Sequence, residues 1–304
     1  MNEFALTVDE VAKAFKISKH TVYELIKRGE LKAFKVGNKM RIEEKELERF
    51  KDSQRTSHGN ETCSSTSPPL SLHVSGSHDF LVEHLIKYVS KQSGLMNIHP
   101  TYIGSLEGLM MLYRGSADLA AIHLLDPASQ EYNLPFIQQL FVHEPITMMR
   151  LAAREQGFIV QRGNPKNIHC FQDLTRKDVT FINRQKGSGT RFLFDSFLAK
   201  EHLTPSHING YENEEWNHLN IALAVSRGFA DVAFGIQSAA RQLELDFIPI
   251  AKEQFDLVFR WTPQNKDALE HLMNILQFTT FKEEVLTLEG YDASQLGMII
   301  YEHQ

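Results

Sequence analysis

The chain is predicted to be an α/β domain preceded by a small helix-turn-helix domain, and three observations predict it. From Leu70 onward, short β-branched and apolar runs alternate with stretches at helical spacing, as in strands joined by helices in a largely parallel sheet. Residues 52–69 (DSQRTSHGNETCSSTSPP) are polar and rich in Ser and Thr, and end on Pro68-Pro69. They cannot bury enough apolar surface to order themselves and are expected to form a flexible linker. Charge divides at the same place: residues 1–51 hold 12 Lys/Arg against 9 Asp/Glu, and the remainder holds 20 against 29. A basic head on an acidic body assigns nucleic-acid contact to the head.

The first element begins at Thr7, which caps a helix with Glu10 three residues on. Val8, Val11, Ala12 and Phe15 form its inner face. Ile17 starts a tight turn, and Ser18 caps a second helix that sets Thr21, Val22, Leu25 and Ile26 against the first. Residues 31–36 and 39–42, joined by Gly37-Asn38, read as a two-stranded hairpin. A third helix from Glu43 turns Leu47 and Phe50 inward.

In the body, LSLHV precedes Ser75-Gly76-Ser77 and a helix to Val89, and NIHPTYI precedes Gly104-Ser105 and a helix from Leu106 to Tyr113. ADLAAIHLL reads as a further strand, and FIVQ as the start of another. VTFIN leads into Gly187-Ser188-Gly189-Thr190 and a helix through Leu198. HINGY, a helix from His218 to Arg227, DVAFGI and DFIPI continue the alternation. Three strand-to-helix junctions thus carry hydroxyls beside glycine. Ligands of open α/β sheets collect at the carboxyl ends of strands, where free N–H groups and positive helix ends favour an anion.

Other chemistry finds little purchase. The composition, 42% hydrophobic and 23% charged, is that of an ordinary globular protein. No apolar run reaches membrane-spanning length and the N-terminus lacks signal-peptide character, so a cytoplasmic location without membrane contact is expected. Cys63 and Cys170 form no metal-ligand spacing, and the 14 histidines are scattered. Arg191 follows Gly189-Thr190 where a P-loop needs Lys, and G-x-S-x-G and H-E-x-x-H patterns are missing. Glu212 and Glu214-Glu215 read as a solvated turn rather than an acid–base pair. No catalytic residue, metal site or cofactor is assigned.

Residues 5–51, through T-x-x-E-V-A, S-x-x-T-V-Y, K-x-G and R-I, resemble the excisionase and MerR-like winged helix-turn-helix domains. That resemblance implies a second helix in the major groove of operator DNA, with Lys19, His20, Thr21 and Tyr23 at bases or nearby phosphates. Lys35, Lys39 and Arg41 of the wing would meet phosphates.

Residues 70–304 resemble the type II periplasmic binding protein fold, two α/β lobes closing on a ligand across a hinge. The resemblance rests on GFIVQRGNPKNIHCFQDLTRKDVTFINRQKGSGTR, HLLDPASQEYN and RGFADVAFGIQSAA, phrases of a cytosolic branch fused to winged helix-turn-helix domains or to molybdopterin-biosynthesis enzymes. It implies lobe I at about residues 70–150 plus 253–304 and lobe II at about 151–252, with strands near Phe141–Leu151 and Phe255–Arg260 containing the crossings. Arg184, three residues, then Ser188-Gly189-Thr190 repeats the spacing of the loop that wraps the oxyanion in periplasmic phosphate binders. The implied ligand residues are Ser77, Ser105, Arg184, Gly187, Ser188, Gly189 and Thr190. Arg184 could instead pair with Glu212 or with an organic carboxylate. No acidic acceptor for a protonated oxyanion stands out, which points to molybdate or tungstate ahead of phosphate.

The expected function is a one-component regulator that binds double-stranded operator DNA as a homo-oligomer, a dimer or dimer of dimers, and senses a small anion. The alternatives are a DNA-binding protein whose large domain only oligomerises, and a cytosolic anion carrier linked to molybdenum-cofactor metabolism.

Overall fold

A computed structural model of the chain describes residues 5–15, 19, 22, 26, 31–36, 39–43, 70–93 and 96–303. The chain divides into two compact units, Met1–Thr66 and Ser67–Gln304.

In the first unit the capping box at Thr7 is formed. The Thr7 N–H donates to Glu10 Oε2 at 2.7 Å, and the Glu10 N–H donates to Thr7 Oγ1 at 3.2 Å. Helix α1 (Val8–Phe15) follows and buries Val8, Val11 and Ala12 against Val22, Leu31 and Ile42, with Ile26 packed alongside. The wing has one more strand than the hairpin expected. β1 (Ala5–Thr7) pairs antiparallel with β3 (Lys39–Glu43), whose other edge holds β2 (Phe34–Val36). The short strand covers an edge of β3 that would otherwise be open. The Gly37-Asn38 turn and the third helix with Leu47 and Phe50 lie outside the described residues.

The second unit is built on one sheet of the order β5-β4-β6-β11-β7-β10-β8-β9. β4 (Leu70–Gly76) lies parallel between β5 (Met96–Tyr102) and β6 (Leu119–Ile122). β8 (Phe181–Arg184) lies parallel between β9 (Glu214–Glu215) and β10 (Val232–Ile236). Joining the two groups are β7 (Ile146–Val160) and β11 (Asp246–Arg260), antiparallel over nearly their whole lengths. The first half of β7 also pairs with β12 (Tyr291–Asp292) and β13 (Ile299–His303), and its last five residues pair with β10.

Around the first group α2 (Phe80–Ser93), α3 (Ser105–Tyr113), α4 (Leu134–Leu140), and later α8 (Lys266–Gln277) and α9 (Thr279–Leu286) enclose cores such as Leu72, Leu81, Phe255, Phe259 and Leu272. Around the second, α5 (Gly189–Lys200) packs on an aromatic core of Phe158, Phe171, Phe181, Phe194 and Phe234, while α6 (His218–Ser226) and α7 (Gln237–Gln242) pack in a separate cluster with Ile159, Ala233 and Ile236. These are the two lobes of a periplasmic-binding-protein-like fold.

Three expectations need correction. FIVQ does not start a strand; it is the end of β7, a 15-residue strand in which only Glu155 is partly exposed. Within β7, Arg154 is paired with Asp79 and Glu253 inside the sheet. DFIPI is a strand as expected, and it runs on to Arg260 as β11, passing Pro249 at a register shift, where a missing N–H is tolerated. HINGY forms turns after a 3-10 segment, Pro205–His207, and the strand of that region is Glu214–Glu215, not a solvated turn.

Candidate functional site

The three hydroxyl-bearing junctions meet where the lobes touch. β4 ends on Gly76, at φ +118°, and α3 comes so close that a Cβ on Gly108 would lie 2.2 Å from Gly76 Cα. This approach seats Ser77 beside Ser105, Oγ to Oγ 2.8 Å. From the second lobe the Gly187 carbonyl accepts from the Leu106 N–H at 3.1 Å. Gly189 sits against His123, and a Cβ there would lie 2.3 Å from the His123 carbonyl oxygen and 2.6 Å from Nδ1. Glycine at 189 is thus required by the contact between lobes.

On the first lobe the polar groups bond to one another. Glu253 Oε2 can only accept, so the His123 Nδ1–H donates to it at 2.8 Å. His123 Nε2 is then the acceptor of the Ser77 hydroxyl at 3.0 Å. The Ser105 hydroxyl donates to Ser77 Oγ, and Ser105 Oγ accepts from the His123 N–H at 3.2 Å. Burial, outweighing the attraction of Glu253, holds the His123 pKa below its ordinary value, which fits this neutral imidazole. Both serine protons are engaged within the relay.

Between the lobes stands a buried charge network. Arg154, fully enclosed on β7, pairs with Asp79 and with Glu253, the latter through Nε at 2.7 Å and Nη2 at 2.6 Å, and its guanidinium lies 4.1 Å above the Phe255 ring. The Tyr291 hydroxyl donates to Asp79 at 2.9 Å. Gln156 Nε2 donates to Glu253 Oε1 at 2.9 Å and to Thr190 Oγ1 at 3.1 Å. Burial opposes charge on Glu253, but Arg154 and His123 overcome it and hold the carboxyl down at about 2.

On the second lobe the polar groups are less engaged. Ser188 caps α5, its Oγ accepting from the Arg191 N–H at 3.1 Å, and Thr190 Oγ1 accepts from Gln156. Each hydroxyl is an acceptor in the bond it makes, which leaves its proton for another partner. Arg184 is 2% exposed; Nε donates to Gln185 Oε1 at 3.2 Å and Nη2 to the Trp216 carbonyl at 3.0 Å, while Nη1 has no partner among the described residues. It does not pair with Glu212. Burial, with the nearby Arg154, lowers its pKa to about 9, so it stays charged at neutral pH. Arg191, the other arginine flanking the loop, turns away to Glu214 at 2.8 Å and stacks on Tyr211. His218, the first residue of α6, is 1% exposed, and neither ring nitrogen has a partner among the described residues.

Sequence reasoning missed His123, Arg154, Gln156, His218 and Glu253. Two of these carried a positional signal: His123 follows the apolar β6 at its carboxyl end, and His218 opens a helix of the α/β alternation.

Of the residues expected at DNA, Lys19 is helical, exposed and ion-paired with Asp9, and Arg41 lies on β3, half-buried. Lys35 lies on β2 and Lys39 opens β3. His20, Thr21 and Tyr23 lie outside the described residues. Among the described residues no group of three or more His, Cys, Asp or Glu could hold a metal ion, and no helix is long and apolar enough to cross a membrane.

A family model described as PBP superfamily domain matches residues 86–277, and one described as Helix-turn-helix domain matches residues 5–55. The chain belongs to the PBP superfamily domain family. Within the curated proteins, YvgK of Bacillus subtilis (strain 168) is 35% identical to this PBP-domain chain over 317 residues, which cover 99% of the chain and 100% of YvgK. The fold is also that of a putative phosphate ABC transporter substrate-binding protein with bound phosphate from Clostridium perfringens, at TM-score 0.53 and 14% identity over 73% of the chain and 98% of that structure. The tungstate ABC transporter of Geobacter sulfurreducens matches at TM-score 0.51 and 13% identity, over 69% and 95%. The matched families are binding and regulatory domains: a helix-turn-helix implies DNA binding, and a PBP-like domain implies a small-molecule ligand.

Proposed function

We propose that this PBP-domain chain is a one-component transcriptional regulator, in which the helix-turn-helix unit reads operator DNA in the cytoplasm and the PBP-like unit senses a small anion. The anion is a tetrahedral oxyanion of the molybdate or tungstate type. One observation carries the ligand reading: Arg184 Nη1 and the His218 ring are buried without partners, the ring 6.5 Å from that of His123, against which the Ser188-Gly189-Thr190 loop with its uncommitted hydroxyl protons also packs. Buried polar groups are almost always satisfied, so such a cluster of donors supports an acceptor-rich ligand. Ser77 and Ser105 complete the set by turning their protons from the relay to the anion, and Gly187 and Gly189 shape the loop around it. The chain acts as a homo-oligomer, a dimer or dimer of dimers, because half-site repetition gives small heads their specificity.

A second reading has its own support. Gln156 Oε1 is buried and unpartnered, while both Glu253 oxygens are committed to Arg154, Gln156 and His123. This neutral acceptor suits a protonated oxyanion, so hydrogen phosphate belongs in the panel. Calorimetry on the full chain with molybdate, tungstate, sulfate and phosphate decides between them, and no heat from any of the four overturns the oxyanion reading. For DNA, a duplex selected from random sequence by the full chain is titrated with and without the bound anion. Lys19→Ala and Arg41→Ala are expected to weaken binding severalfold, the wing change about equally across sequences. Failure to select any duplex overturns the regulator reading.

A further inference from the structure

We propose that His218 contacts the ligand and gains a proton as the ligand enters, so that the site takes a compact dianion together with one proton. This rests on the oxyanion reading of the site and deepens it.

The case begins with geometry. His218 is enclosed at the first turn of α6, a nine-residue helix whose Asn217 cap accepts from the Asn220 N–H at 2.7 Å. Both ring nitrogens are unpartnered, whereas the His123 ring opposite, 6.5 Å away between centroids, has both nitrogens engaged. A neutral imidazole would leave one donor and one acceptor unmet, and a doubly protonated ring would leave two donors. The arrangement is completed by a partner that accepts. Arg184 Nη1, also unmet, supplies the second cationic donor.

The charges facing His218 set the sign of the response. Arg184 on β8 and Arg154 on β7 oppose a proton on the ring, and His123 after β6 and His78 before α2 are the other titratable groups facing it. The neighbouring carboxylates are committed elsewhere: Glu253 on β11 to Arg154, Gln156 and His123, and Glu215 on β9 to the Asn220 amide at 3.0 Å. Burial, with Arg184 and Arg154, holds the His218 pKa well below its ordinary value in the free protein. Two negative charges against the ring reverse that balance, because an opposite charge within a few ångströms favours the charged form. Among the groups proposed to touch the ligand, Arg184 and protonated His218 then match the two charges of a dianion. A monoanion would be balanced by Arg184 alone and would leave His218 neutral.

The test is calorimetry of molybdate, tungstate, sulfate and phosphate binding to the full chain in two buffers of different ionisation enthalpy, between pH 6 and 8. For each dianion that binds, the wild type is expected to take up about one proton and to bind about tenfold tighter per pH unit lowered within the window between the free and bound His218 pKa values. His218→Gln, which can donate but not take up a proton, is expected to bind more weakly, with no proton uptake and a flat pH profile. Wild-type binding with no proton uptake overturns this proposal and leaves the oxyanion reading standing. Uptake unchanged in His218→Gln places the proton elsewhere, for example on His123, and also overturns it. No binding of any of the four anions removes the oxyanion reading, and this proposal with it. If His218→Gln does not fold, the imidazole proton resonances of the wild type give the answer: charging of a buried histidine on addition of the bound dianion supports the proposal, and no such change overturns it.

Discussion

The two faces of the interlobe site differ in how their polar groups are satisfied. On the first lobe, Ser105, Ser77, His123 and Glu253 form a closed chain in which each hydroxyl proton has an acceptor. On the second, Arg184 and His218 hold buried donors that meet nothing, and Ser188 and Thr190 bond only as acceptors. One face is organised by its own bonds and the other awaits an outside acceptor. In the proposed site the idle donors of the second lobe supply most of the attraction, and Ser77 and Ser105 join them only by giving up bonds they already make. Arg154 sits between the buried carboxylates of Asp79 and Glu253 and offsets part of their charge from within the hinge strands.

The strongest way to break the comparison is to unmake the satisfied side. Arg154→Met would leave Asp79 and Glu253 buried without their cation, and is expected to cost about 3–5 kcal/mol of stability in urea unfolding. A loss under about 1 kcal/mol would mean that the hinge charges are more solvated than their burial implies. Next comes the contact between the faces. Gly189→Val would drive a side chain into the His123 backbone, which cannot move as a flexible side chain can. At about 3 kcal/mol against the closed form, molybdate affinity should fall about a hundredfold. Ordinary affinity in this variant would show that the bound state holds the lobes further apart.

Changes on the idle side should leave the fold intact and act on binding. Ser188→Ala and Thr190→Val each remove a hydrogen bond to a charged group, about 1.5–3 kcal/mol or tenfold to hundredfold in affinity by calorimetry. Arg184→Lys should lose a comparable amount, since an ammonium cannot reproduce the planar fork that also holds the Trp216 carbonyl. A cooperative unfolding transition is the required control, since Ser188→Ala also removes the α5 cap and is expected to cost about 1 kcal/mol of stability. The smallest effect is on pH. His123 and His218 both have folded pKa values below the ordinary 6.5. Their contribution to stability is therefore complete above about 6.5, and is lost as pH falls and the unfolded chain takes up protons that the folded one refuses. Unfolding free energy of the ligand-free chain should decline below that pH by at most about 1.4 kcal/mol per unit for each imidazole. His218→Gln should remove its share of the slope.

Much of the architecture was legible in the chain because its signals are local. The Thr7–Glu10 capping box, the alternation of apolar strands with helices and the Ser188 cap on the glycine loop each depend on residues a few positions apart. The three hydroxyl-bearing junctions could be named for the same reason, since the carboxyl end of each strand is marked by its own glycine. The basic head and acidic body follow from composition alone.

What only the tertiary structure decided concerns groups far apart in sequence. Arg154 and Glu253 drew no assignment from the sequence, because nothing near either says that β7 and β11 run unbroken through the middle of the sheet. Their pairing spans 99 residues and exists only when the two strands are adjacent. Likewise nothing local distinguishes His123, whose ring is engaged by Glu253 and Ser77, from His218, whose ring is bare. Sequence determines which groups can donate, accept or carry charge. Burial and the partners left over once the long strands have paired determine which of them still need something to bind.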